Sequence, residues 1–295
     1  MGYRQVIVKK AERISLGDNQ LIIKRDDVTR IPLEDINFIV LEDPMTVVTT
    51  RLLAELGKYY ISLLVCNEVY EPSSLLFSFN NHYKQLAVFQ YQIKDHSELN
   101  GSLWKAIVQY KISNALVVLG MTSNDTFSMQ KLTEYLKEIE ENDSTNREGL
   151  AAKVYFRGIF GHEFLRFSED AVNAALNYGY TIFKSALVRS LTAHGFHTYL
   201  GIHHCSKTNN FNLAFDFLEP YRAVIDYYVY CNMDRVTYPL SFEIRRELID
   251  LLNYNVVIQN KKCTVQYSFD VMIESYIRSL EKEENLLLLP SLEYE

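Results

Sequence analysis

The stretch Tyr199-Leu-Gly-Ile-His-His-Cys205 is followed, after a short polar loop, by Phe211-Asn-Leu-Ala-Phe-Asp-Phe-Leu-Glu-Pro-Tyr-Arg222. His204 therefore stands a few residues ahead of Asp216 and Glu219. If 211–219 is helical, the two carboxylates lie at i and i+3 and share a face. The rest of that segment (Phe211, Leu213, Ala214, Phe215, Phe217, Leu218) is apolar. A neutral imidazole with one or two carboxylates is a ligand set for a divalent cation, with positions left for water or phosphate. The same spacing also arises where helical acids simply meet water, so spacing alone leaves both readings open.

A chain of 295 residues that is 48% hydrophobic can bury a sizeable core and hold one or two domains. No run of about 18 apolar residues is present to span a bilayer, and the N-terminus lacks the apolar stretch of a signal peptide. Cys66, Cys205, Cys231 and Cys263 are scattered with no CxxC pair, which argues against a zinc ribbon or a disulfide framework. These features fit a reducing cytoplasm. The net charge of −7 speaks against a nucleic-acid partner at first sight. The last fifteen residues, however, hold five acids against one lysine, so the body of the chain is nearly balanced and has room for a local basic surface. The aromatics, 21 Tyr and 16 Phe, read first as packing and second as platforms for exposed bases.

The elements that must position these residues come in two kinds. The first seventy residues read as β, with β-branched runs at 5–8, 13–16, 20–24 and 37–41, one short helix over 50–58 and a strand over 60–66. A linker over 74–79 follows a β-rich domain at 1–73. From residue 80 to 295 the periodicity is helical, with helices expected near 80–95, 102–121, 127–141, 146–160, 168–194, 212–232, 241–253 and 269–283. Ser144 or Thr145, Ser168, Asn212, Ser241 and Ser268 are their candidate caps. Residues 255–266 have hairpin character. The fold class is thus α+β, a small β-rich N-terminal domain before a larger, mainly helical one. The acidic tail carries four consecutive leucines before Pro290, which either dock on the core or serve a partner subunit.

Two further motifs, Asn146-Arg-Glu-Gly-Leu-Ala-Ala-Lys-Val-Tyr-Phe156 and Asn173-Ala-Ala-Leu-Asn-Tyr-Gly-Tyr-Thr-Ile182, join Gly201-Ile-His-His204 and Asp216-Phe-Leu-Glu-Pro-Tyr-Arg222. In order and spacing the four resemble the CRISPR-associated integrase, the first-numbered Cas protein of the spacer-acquisition machinery. The resemblance covers nearly the whole chain. Phe160-Gly-His-Glu-Phe-Leu-Arg-Phe167 and the His-His pair resemble the branch found with single-effector, RNA-guided nuclease (type II) systems. By this match Glu148, His204 and Glu219 are the metal ligands and catalytic residues, and Asp216 is an auxiliary acid behind them. Read without the match, Glu148 is first the N3 member of a capping box begun by Thr145. His203, next to His204, points to the other side of an extended segment. Gly179 reads as a helix-packing position.

The resemblance implies a metal-dependent DNA endonuclease and integrase that joins spacer DNA into a CRISPR array by 3′-hydroxyl attack on a phosphodiester, with Mg²⁺ or Mn²⁺ as cofactor. It also implies double-stranded DNA partners (prespacer and repeat) and a homodimer. Two such dimers would be bridged by the small second-numbered Cas protein into a hetero-hexamer, with the effector nuclease or other adaptation subunits as further partners. Lys207, Arg222, Arg245 and Arg246 are candidate DNA contacts. The rival readings are a non-catalytic assembly subunit and a metal hydrolase of small phosphate esters.

Overall fold

The computed structural model describes residues 2–78, 84–94, 96–123 and 125–293. The N-terminal part is built of two four-stranded sheets. One sheet orders β1 (Arg4–Val8), β5 (Ile36–Leu41), β7 (Ser62–Cys66) and β8 (Pro72–Leu76) side by side, the first three parallel and β8 antiparallel. The other orders β4 (Val28–Pro32), β3 (Gln20–Lys24), β2 (Arg13–Gly17) and β6 (Val47–Val48). Helix α1 (Thr50–Lys58), capped by the Thr49 side chain, closes a small core of Val8, Ile14, Leu21, Leu41, Leu52 and Leu56.

Strand β5 joins this part to the rest. All six of its residues are buried, as a strand covered on both faces must be. Ile39 and Leu41 belong to the small core, whereas Phe38 and Val40 point the other way into the helical one, the two-residue alternation of a strand. The expected linker over 74–79 is instead strand through Leu76: Leu63, Leu64 and Val65 of β7 pair with Leu76, Leu75 and Ser74. Residue 79, and 80–83 and 95 of the helix expected at 80–95, lie outside the described residues; α2 covers Gln85–Gln92.

The helical part is organised around α3 (Ser97–Thr122) and α6 (Ala171–Ala193). Against α3 lie α4 (Thr126–Lys137) and α5 (Arg147–Phe160). Against α6 lie α7 (Asn212–Leu218), α8 (Arg222–Cys231), α9 (Phe242–Asp250) and α10 (Val265–Lys282), the last preceded by the hairpin β9 (Asn255–Ile258) and β10 (Lys261–Thr264). Gly179 has the packing role expected of it: a Cβ there would sit 2.6 Å from Ile225 Cγ2 and 3.3 Å from Leu248 Cδ2, so α6 meets α8 and α9 closely only without a side chain. The single helix expected at 212–232 is broken by a 3-10 turn over Glu219–Tyr221, where Pro220 has no N–H to give an α-helix.

The four leucines of the tail dock on the core. Buried Ser275 and Ser279 of α10 accept the N–H groups of Leu288 (2.9 Å) and Leu286 (3.0 Å). Asn114 of α3 donates to Pro290 O (3.0 Å) and accepts from Leu292 N (3.0 Å). The same Asn114 amide donates to Pro220 O (2.8 Å), so tail, α3 and the 219–221 turn share one buried side chain.

Candidate active site

Glu148 is placed by an unusual helix start. Asn142, Asp143 and Asn146 all have left-handed φ (57°, 48° and 52°), a conformation that Asn and Asp tolerate best among non-glycine residues. The turn aims the Asp143 carboxylate at the helix, where it accepts the N–H groups of Arg147 and Glu148, both at 2.8 Å. The capping box from Thr145 is therefore not formed, and the Glu148 carboxylate is free of capping duty. Ser168 and Ser268 are likewise not caps: Asp170 starts α6 and Thr264 starts α10, leaving Ser268 buried inside the helix. Ser241 caps α9 as expected.

His204 is held by Asp216. The Asp216 carboxylate is fully buried. Its Oδ2 accepts the N–H groups of Ile202 (2.6 Å) and His203 (3.2 Å), and its Oδ1 accepts His204 N (3.1 Å) and meets His204 Nδ1 at 2.7 Å. Gly201 lets the loop approach so closely, because a Cβ there would run into the His204 carbonyl and lie 2.8 Å from Asp216 Oδ2. With Nδ1 engaged, Nε2 is the nitrogen left for a ligand. The Asp216 hydrogen bond raises the His204 pKa against the opposing effect of burial. His203 does not point to the opposite side from His204 as an extended segment would have it: its ring stacks on Trp104 at 4.2 Å, the His204 ring meets the same Trp104 edge-on at 5.6 Å, and His203 Nδ1 meets Asn142 Oδ1 at 3.1 Å. Burial lowers its pKa.

Glu219, 4% exposed, lies under Arg222, which donates Nε to Oε2 (2.9 Å) and a terminal nitrogen to Oε1 (2.8 Å). Burial pushes the Glu219 carboxyl up, but Arg222 and then Lys111 outweigh it and hold it at about 2. Lys111, from α3, donates to both Glu148 Oε1 and Glu219 Oε2. Two acids 71 positions apart thus close on one cationic nitrogen, with His204 in electrostatic reach of Glu148, Asp216 and Glu219 together.

These groups wall a cavity of about 600 Å³ that also takes in Asp226 and Tyr180 and runs out to Phe164, Arg166 and Phe167 on the loop after α5. Arg166 is fixed there by Asn173 Oδ1 (2.9 Å) and Asn177 Oδ1 (2.8 Å). Among the described residues no three His, Cys, Asp or Glu side chains stand together as a ready metal-holding group, the convergence point of Glu148 and Glu219 being taken by the Lys111 ammonium. The donor set itself, two carboxylates turned to a common cation beside an imidazole with a free nitrogen, fits Mg²⁺ or Mn²⁺.

Two of the four proposed DNA contacts need correction. Arg245 is buried and clasps Glu42, and Arg222 is committed to Glu219, so neither is a free surface cation. Lys207 and Arg246 are exposed, and neither lines the cavity. The exposed cations on its wall are Lys153 and Arg157 of α5, one helical turn apart. Sequence reading also missed Lys111 and Asp226. For Asp226 a signal was present, an acid four residues after Arg222.

Asp226 is buried and accepts the Tyr180 hydroxyl. Burial raises its carboxyl from 3.8 to about 6 against the pull of Tyr180 and Arg222. Between about pH 4 and 6 the native state therefore keeps a proton that the unfolded chain has released, so this group's contribution to stability falls as pH rises through that window. Asp226→Asn removes the effect. Its stability relative to wild type should rise by about 2 kcal/mol between pH 4 and pH 7. Urea midpoints across that range check this, and a difference that stays flat with pH would contradict it.

The family described as CRISPR associated protein Cas1 matches this chain over residues 6–253. A CRISPR-associated endonuclease Cas1 of Neisseria meningitidis serogroup C (strain 8013) is 33% identical over 296 residues, 99% of this chain and 97% of the relative. Among solved structures, a casposase bound to integration product superposes with a TM-score of 0.75 at 16% identity, covering 96% of this chain and 92% of that one. A Cas6-RT-Cas1–Cas2 complex gives 0.75 at 21% identity, covering 96% of this chain and 35% of that one. At these identities the structural likeness speaks for the fold.

Proposed function

This chain belongs to the Cas1 family of CRISPR-associated proteins, and on that premise we propose that it is a metal-dependent DNA integrase and endonuclease that joins new spacer DNA into a CRISPR array. The observation that carries the reading is the closure of Glu148 and Glu219 on one cationic point beside a His204 oriented by Asp216. The reaction is a transesterification. A DNA 3′-hydroxyl oxygen forms a new bond to phosphorus, the old P–O bond breaks, and the leaving 3′ oxygen takes up a proton.

A bound Mg²⁺ or Mn²⁺ would supply polarisation of the phosphodiester and a lowered pKa for the attacking hydroxyl. Glu148, His204 and Glu219 would hold it. The rest is positioning. Asp216 keeps His204 Nδ1 occupied so that Nε2 is available, and the Arg222 fork keeps Glu219 ionised and turned to the cavity. Lys153 and Arg157 at the cavity wall would meet DNA phosphates, as would Lys207 and Arg246 farther out.

Joining both ends of a spacer needs two active sites, and one chain has one. We therefore assign a homodimer, two of which are bridged by the small second Cas protein, as the name of the superposed Cas1–Cas2 complex suggests. The 160–167 link and the paired histidines favour the branch that accompanies single-effector nucleases.

The test is strand transfer and disintegration of a labelled branched DNA with Mn²⁺ or Mg²⁺ and with chelator. Metal-dependent joining is the expected result. Turnover of a small phosphate ester with no preference for branched DNA would point to a hydrolase. No reaction even with the second Cas protein present would point to an assembly role.

A further inference from the structure

We propose that Lys111 is a built-in exchange cation: it bridges Glu148 and Glu219 before a divalent ion arrives, and it must leave both carboxylates when the ion binds. This rests on the reading of Glu148, His204 and Glu219 as a metal site. The two oxygens that Lys111 contacts, Glu148 Oε1 and Glu219 Oε2, belong to the two acids that converge on that site. Lys111 therefore occupies the position where both acids can share one cation. Its side chain is 15% exposed on a stretch of α3 where Ile107, Val108, Ile112 and Ala115 are buried, so the charge is not there to face bulk water.

Nor is Lys111 needed to neutralise Glu219, since Arg222 already donates to both Glu219 oxygens. Among the described residues, it is Lys111 that joins Glu219 to Glu148. Without a cation between them, two partly desolvated carboxylates repel and the site opens. The two basic residues are suited to different tasks. The planar Arg222 fork is matched to Glu219 and stays, whereas the Lys111 ammonium is a compact charge on a flexible four-carbon stem that withdraws without moving α3. Once released, Lys111 remains on the cavity wall, where its charge faces the phosphodiester.

The exchange makes metal affinity a competition. Mn²⁺ binding, followed by the loss of the free-ion electron paramagnetic resonance signal, should be tighter by about tenfold or more in Lys111→Met than in wild type, because the variant has no resident charge to displace. In chelator the same variant should melt below wild type, and saturating Mn²⁺ should close that gap. Wild type gives a second readout that needs no variant. Acylation of the Lys111 amine by an N-hydroxysuccinimide ester, quantified by mass spectrometry, should rise several-fold when Mn²⁺ is added.

Equal or weaker Mn²⁺ binding in Lys111→Met would overturn the proposal while leaving the metal site standing. So would Lys111 acylation that does not change while Mn²⁺ binds. A His204→Ala variant that binds Mn²⁺ as wild type does would overturn the metal-site reading itself, and the exchange with it.

Discussion

Replacing His204 by alanine is expected to lower metal-dependent joining of branched DNA by at least about a thousandfold, more than the ten- to hundredfold typical of a change behind a ligand. DNA affinity should stay within about threefold, because phosphate contacts spread over the surface carry most of it. The imidazole is half-buried on the cavity wall and, among the described residues, its hydrogen-bonding neighbour is Asp216, so the substitution removes the proposed ligand without opening the core. Asp216→Asn makes the complementary case. One amide oxygen cannot accept the three backbone N–H groups and the imidazole that two carboxylate oxygens now share, and the amide NH₂ would face donors. Mn²⁺ affinity should drop about ten- to hundredfold with His204 still present. Joining assays and Mn²⁺ titrations of the two variants, with filter binding to DNA, check both. A His204→Ala protein that fails to bind DNA would mean that the histidine loop shapes the DNA surface rather than the chemistry.

How far the site was legible in the sequence depends on how local each feature is. His204 and Asp216 lie twelve residues apart and act on each other, so spacing was enough to pair them. It did not divide their roles: the i, i+3 acids share a helix face but serve different partners, Asp216 the 202–204 turn and Glu219 the cations. Glu148 became a candidate ligand only through the four-motif resemblance. Its own neighbourhood suggested a cap, and the left-handed Asn146 is what moves the helix start past Thr145. Lys111 was beyond reach, because its partners are 37 and 108 residues away and no local pattern marks a lysine that faces inward.

The fold follows the same rule. Helix α1 lies where its apolar spacing puts it, over Thr50–Lys58, and the 255–266 hairpin forms. Strand β4 escaped notice because three of its five residues, Val28, Thr29 and Arg30, are exposed, so it lacks an apolar alternation. The tail's choice between core and partner was undecidable from four leucines. It turned on Ser275, Ser279 and Asn114, polar residues buried on other helices that accept its backbone.

Arg245 was read as a surface cation for the same reason, and its real partner gives the largest stability effect expected in this chain. Arg245 of α9 donates Nε to Glu42 Oε1 (2.7 Å) and a terminal nitrogen to Oε2 (2.9 Å), with the third nitrogen on the Leu240 carbonyl and Tyr70 stacked over the guanidinium at 4.0 Å. Both side chains are almost fully buried, and Glu42 directly follows β5, the strand shared by the two cores. The pair thus joins the β-rich part to the helical one across 203 residues of sequence. Arg245→Met leaves the buried Glu42 side chain without its partner, and should cost about 3–5 kcal/mol in urea unfolding. Glu42→Gln, which strands the arginine, should cost about as much. The combined Glu42→Leu, Arg245→Met protein should recover most of that loss, since an apolar pair has no desolvation penalty to offset. If the double variant is as unstable as the singles, Arg245 stabilises the joint through the Leu240 carbonyl and the Tyr70 ring rather than through the ion pair. Near-wild-type stability with impaired joining would instead mean that the pair sets how the two parts meet, not how strongly.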